Sequence, residues 1–149
     1  RSSDLNDILE AFNAMKSGDY KKMASYFDTS SPTDGAVFWS GNKIEAGQYA
    51  QSIGGTIMEQ TPGGQVFDNW KGLSGMYPEW KTNTSLDQRP IWVALSSQYA
   101  NGVTGDVTYV HPADYIGEVW RDVERPIVIE RMEAGLVTGI KEVFINGKQ

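Results

Sequence analysis

A short apolar run, Ala36-Val37-Phe38-Trp39, gives way at once to Ser40-Gly41-Asn42 and a helix-forming stretch, and a second short run follows at Thr56-Ile57-Met58-Glu59. Strand, tight turn, helix and strand in this order make a βαβ unit, whose strands run parallel because a crossover joins them. A parallel sheet needs both faces covered, so the rest of the chain has to supply helices. Asn42 with Glu45 three residues later has the form of a capping box. It opens a helix that puts Ile44, Tyr49 and Ile53 inward and ends at Gly54-Gly55.

The flanking sequence provides those helices. Asp4 is placed to cap one in which Leu5, Ile8, Leu9, Phe12 and Met15 recur at 3/4 spacing, with Gly18 as its stop. Asp19 caps a second, with Tyr20, Met23, Tyr26 and Phe27 on one face. Residues 28–35 carry loop chemistry. A short helix is expected over Gln65–Lys71, then an irregular segment to Arg89 held by its aromatics. Pro90 starts a helix that runs to Ala100 and stops at Asn101-Gly102. Strands are expected at Gly105–Val110, at Glu118–Glu124 with Glu124 at its C-terminal end, and at Val137–Ile145 on a sheet edge. The expected fold is therefore α/β, an N-terminal helical hairpin packed on a small, mainly parallel sheet flanked by helices. Residues 1–149 form one domain, with 1–30 as a helical cap and 36–149 as the sheet-containing catalytic part.

Composition removes several chemistries. With no cysteine among 149 residues there is no disulfide framework, thiolate nucleophile, Cys-ligated zinc or iron–sulfur cluster. A single histidine, His111, excludes a His-rich metal site, so no metal is expected. Thirteen Lys and Arg against nineteen Asp and Glu leave a net charge of -6 without a basic run, the reverse of a phosphate-backbone binder, and no nucleic-acid partner is expected. No apolar stretch approaches the roughly 20 residues of a membrane span. A chain opening on Arg1-Ser2-Ser3-Asp4 is expected to be part of a larger or processed protein.

In an open parallel sheet, ligands bind beyond the carboxyl ends of the strands. The residues there are Trp39-Ser40-Gly41, Glu59 and Glu124, with Trp92 opening a helix nearby. Two carboxylates suit glycosidic-bond cleavage, where an oxocarbenium-like centre needs negative charge beside it. A leaving group that is already cationic, as nicotinamide is on its ribose, departs without a general acid, and one carboxylate suffices. Indole faces stack on a flat pyridinium. A Ser-Gly turn at a helix N-terminus offers N–H groups to a pyrophosphate.

The same segments carry a family resemblance. Val37-Phe38-Trp39-Ser40-Gly41, Ile57-Met58-Glu59-Gln60-Thr61 with Gly64 and Asp68, Ile91-Trp92-Val93-Ala94-Leu95-Ser96 with Tyr99-Ala100, and Val123-Glu124-Arg125-Pro126-Ile127 look like the ordered landmarks of the ADP-ribosyl cyclase/NAD glycohydrolase family, over about two-thirds of the chain. The resemblance implies Glu124 as catalytic glutamate and Glu59 as the acidic residue that recognises nicotinamide and steers hydrolysis against cyclisation. It implies Trp39 and Trp92 flanking the nicotinamide, Ser40 and Ser96 contacting phosphate or ribose, and Asp68 as a further acidic contributor. It further implies NAD(P)+ as substrate and no cofactor. The chain departs from the family in having no cysteine, where the animal members are disulfide-rich, and in reading Glu59-Gln60 where the family has Glu-Asp. A small cysteine-free module resembles the C-terminal toxin domains of bacterial contact-dependent inhibition systems. By that analogy it is delivered from a secreted or cell-surface protein, depletes NAD in a target-cell cytoplasm, and is restrained by a cognate immunity protein.

Of the remaining tryptophans, Trp70 and Trp80 read as packing. Trp120 shares a face with Glu124 and is counted with the substrate-binding residues. Two other functions fit less of the sequence. One is a non-catalytic nucleotide- or protein-binding module, and the other an RNase toxin using His111, which otherwise reads as a strand-end residue without chemistry.

Overall fold

The structure, a computed structural model, describes residues 5–147. The expected cap Asp4 lies outside the described residues. Helices α1 (Leu5–Lys16) and α2 (Tyr20–Ser25) form the N-terminal hairpin. Asp19 caps α2 by accepting the Lys22 N–H. The α1 stripe is buried only towards its C-terminal end, at Ala11, Ala14 and Met15, with Phe12 packed on Trp70, while Leu5 and Leu9 face solvent.

Three parallel strands follow in the spatial order β1 (Val37–Trp39), β2 (Gly105–Pro112), β3 (Val137–Ile145), so β3 is an edge strand as its mixed sequence implies. Between β1 and β2 lie α3 (Lys43–Ser52), α4 (Pro62–Asp68), α5 (Leu73–Met76) and α6 (Arg89–Ala100), and between β2 and β3 lies α7 (Arg125–Glu133). Strand alternation divides the core between the two sheet faces. Phe38, Val107 and Tyr109 join Leu95, Tyr99 and the hairpin, whereas Val37 and Val110 join Ala46, Ala50 and Ile57. No helix among the described residues is long and apolar enough to cross a membrane.

Four expectations are corrected. Thr56–Glu59 is not a strand. Thr56 makes one parallel bridge to Ala36, and Met58–Gln60 then forms a 3-10 turn. The Gln60 and Thr61 side chains take the Ile57 N–H and the Met58 carbonyl, which a strand would offer to a neighbour. In α3 the buried face is Ala46, Gly47 and Ala50, with Ile44 and Ile53 exposed, because only small residues let this helix lie close on β1. The short helix expected at Gln65–Lys71 begins earlier, at Pro62, where proline at the first turn and the Thr61 hydroxyl on the Gly64 N–H set its start. Glu118–Glu124 is helical. Trp120, Glu124 and Val128 are buried at intervals of four, and the segment runs as a π-turn (Trp120–Glu124) straight into α7. Pro126 has no N–H to return to the preceding turn, and the widened turn there is closed by the Arg125 N–H donating to the Trp120 carbonyl.

The 77–89 segment is also held differently from expectation. Its organiser is the buried Asp87 carboxylate, which accepts the backbone N–H groups of Thr82 and Asn83 and the Thr82 hydroxyl.

Candidate active site

Beyond the end of β1, Gly41, with a φ of +83°, turns the chain out of the strand and into α3, a backbone state that a side chain would strain. Asn42 then caps α3 by accepting the Glu45 N–H. This turn leaves Trp39 half-buried at the strand exit, with its indole Nε1–H donating to Glu59 Oε1 at 3.1 Å. Glu59 is held there by the 3-10 turn. Gln60 anchors the turn to α3 through Nε2 on the Gly47 carbonyl, and α4 packs so closely behind it that a Cβ on Gly64 would lie 1.9 Å from the Met58 carbonyl oxygen.

Opposite this wall, α6 and the π-turn each contribute a pair of residues four apart. Trp92 and Ser96 share one face of α6, and Trp120 and Glu124 share one face of the turn. Trp92 donates its indole N–H to Gln88 Oε1 at 2.6 Å. Trp120 lies flat on Tyr109, with ring centroids 4.2 Å apart and planes at 12°. Glu124 is 8% exposed. Burial, reinforced by the charge of Glu59 and opposed by a hydrogen bond from Ser96, pushes its pKa up to about 8. Burial likewise raises Glu59, Asp68 adds to the effect, and the Trp39 hydrogen bond and the Lys43 charge oppose it. The two carboxyls thus share one poorly solvated space, which favours the protonated form of Glu124.

These groups line a single cavity of about 450 Å3. All eight residues that the sequence assigned to an NAD site are on its wall: Trp39, Ser40, Glu59, Asp68, Trp92, Ser96, Trp120 and Glu124. Ser40 is buried, and its hydroxyl is already engaged, 2.6 Å from the Tyr109 hydroxyl and accepting the Gly117 N–H at 3.0 Å. It therefore ties the 115–117 segment to the sheet. Asp68 pairs with Lys43 at 2.7 Å on the rim. Trp70 packs as expected between Phe12 and Phe67. Trp80, expected in packing, is 46% exposed and lines the cavity. His111 does not line it and is 2% exposed, out of reach of a bound RNA chain.

Sequence reasoning missed Lys43, Tyr115, Gly117 and Glu118, which complete the wall. Glu118 is held by Arg89 in a two-bond fork of 2.8 and 2.9 Å. The rule that pointed to Trp39 would have found Tyr115 and Gly117, since they follow the carboxyl end of β2.

No protein-family model and no curated protein matches this sequence. Solved structures do. A structure of CD38 aligns with a TM-score of 0.68 at 17% identity, over 97% of this chain and 81% of that one. Aplysia cyclase, complexed with substrate NGD and product cGDPR, aligns at 0.72 and 22% identity, over 98% and 67%. Porcine CD38, complexed with a covalent intermediate, ribo-F-ribose-5'-phosphate, aligns at 0.58 and 16% identity, over 92% and 85%. At these identities the likeness is one of architecture, and the chain has the α/β fold of the ADP-ribosyl cyclases.

Proposed function

We propose that this domain is an NAD(P)+ glycohydrolase, cleaving the nicotinamide–ribose bond to ADP-ribose and nicotinamide, with cyclisation as a minor outcome. The observation that carries the reading is the meeting of the buried Glu124 with Glu59 in one cavity walled by Trp39, Trp92 and Trp120. The fold neighbours support the substrate class, one of them holding substrate NGD and product cGDPR.

In this reading the pyridinium enters among the indoles, which attract a flat cation through their π faces. Its charge favours the ionised form of Glu124, so the carboxylate is generated as substrate binds. The C1′–N1 bond breaks with its electron pair going to nicotinamide, which leaves neutral. Glu124 stabilises the resulting oxocarbenium-like sugar, and water adds its oxygen to C1′ and releases a proton. Glu59 uses one oxygen on the Trp39 indole and offers the other to the nicotinamide amide. Ser96 orients Glu124. No cofactor or metal enters these steps.

The biological setting is proposed by analogy: a toxin domain carried by a secreted or surface protein, acting in the reducing cytoplasm of a target bacterium and restrained by an immunity protein. The absence of cysteine supports it. The test is to incubate the domain with NAD and NADP and separate the products. Release of nicotinamide, lost in Glu124→Gln, is expected. Intact dinucleotide at high protein concentration would overturn the enzyme reading in favour of a binding module. NAD loss and growth arrest on expression in a bacterial cytoplasm would test the toxin setting.

A further inference from the structure

The reaction proposed above makes no use of His111, the chain's single histidine. It lies on β2 with both ring nitrogens engaged, Nδ1 at 2.9 Å from the Tyr115 carbonyl oxygen and Nε2 at 2.9 Å from Glu142 Oε2 on β3. A carbonyl can only accept, so the contact with Tyr115 asks for a proton on Nδ1, while Nε2 faces the Glu142 carboxyl. Tyr109 is stacked on the imidazole with centroids 4.3 Å apart and planes at 14°.

Two routes lead from this residue to the cavity. Through its ring, His111 extends a column whose next members are Tyr109 and then Trp120, which lines the cavity. Through Nδ1 it fixes the carbonyl of Tyr115, also on the wall. The wall segment has further tethers, among them the Tyr115 N–H on the Pro112 carbonyl, Gly117 on Ser40 and Glu118 on Arg89. His111 holds the end of the segment nearest β2, where the chain has just left the strand.

We propose that His111 is a positioning residue. Held between Glu142 and the Tyr115 carbonyl, it fixes the Tyr115–Gly117 wall of the cavity against the sheet. The kinetic part of this inference rests on the NAD reading, and the structural part does not. Nitrogen-detected NMR of the full chain should find Nδ1 protonated both in the wild type and in Glu142→Gln, whose amide can donate to Nε2. Two near-isosteric variants then separate holding from filling. Asparagine places a donor where Nδ1 stood, and glutamine reaches towards the place of Nε2. His111→Asn should keep the Gly117 amide protected from exchange and KM for NAD within about threefold. His111→Gln should lose that protection and raise KM about tenfold, the effect of one hydrogen bond, with a smaller change in kcat. A wild type whose Nδ1 carries no proton, or equal effects in the two variants, would overturn the proposal. A wild type that does not cleave NAD removes the functional reading and leaves the Nδ1 proton and Gly117 exchange to decide this one.

Discussion

Replacing Glu124 by glutamine should inactivate the domain and stabilise it, with the gain set by pH. In the folded chain this carboxyl holds its proton up to about pH 8, because burial and the neighbouring Glu59 disfavour its charge, whereas the unfolded carboxyl ionises near 4.5. Between those values the unfolded state loses its proton first, so rising pH favours unfolding by about 1.4 kcal/mol per pH unit. Glutamine has a similar shape and carries no charge in either state, so the variant escapes this cost. The difference between variant and wild type should be roughly 1 kcal/mol at about pH 5, roughly 3 at about pH 7 and close to 5 above about pH 9. For a domain of this size, 3 kcal/mol corresponds to a rise in Tm of about 6–12 °C. Paired urea denaturation curves at acid, neutral and alkaline pH read the effect directly. A pH-independent difference, or a glutamine variant less stable than wild type at alkaline pH, would refute the argument that Glu124 is a desolvated carboxyl whose placement costs stability.

The same carboxyl sets a kinetic profile: if its ionised form is the productive one, kcat/KM for NAD should rise with pH towards about 8 and then level, while the kcat profile moves to lower pH because the bound cation favours the carboxylate. A kcat/KM that falls over that range in stopped assays would contradict it. Gly64→Ala drives a Cβ into the Met58 carbonyl and should cost roughly 1–3 kcal/mol or more while displacing Glu59. Thermal unfolding and NAD turnover should both drop, and an unaltered Tm would show that the turn yields freely. Tyr99→Phe removes a buried hydroxyl that accepts the Val37 N–H and lies 2.6 Å from the Thr56 carbonyl, at an expected cost of about 1–3 kcal/mol in urea denaturation.

The site and the scaffold differ in how far they could be read from sequence. Trp39 and Trp92 are legible because they stand at a strand exit and in the first turn of a helix, positions marked by turn chemistry such as Ser40-Gly41-Asn42, whereas Glu59 and Glu124 line the cavity from a 3-10 turn and a π-turn. Glu124 lines the cavity from a helical segment, where the sequence pattern reads as a strand. Trp120 and Glu124, four apart, share a face in a strand as well as in a helix, and only the burial of Trp120, Glu124 and Val128 at a constant interval of four reveals the helical face. Trp80 was misassigned because exposure is a property of the folded surface, and an exposed and a packed tryptophan have the same sequence signal.

By itself the sequence determined the class of fold, the parallel sheet with β3 at its edge, the caps at Asp19 and Asn42, and the chemistries that a chain with no cysteine and one histidine cannot perform. These follow from local rules: periodicity, turn propensity and composition. Tertiary structure decided the rest. It brought Glu59 and Glu124 into one poorly solvated cavity, committed the Ser40 hydroxyl to Tyr109 and Gly117, and gave His111 two partners, Tyr115 and Glu142, from separate parts of the chain. Each outcome depends on which distant groups meet and how much water is left between them, and spacing along a chain does not encode desolvation.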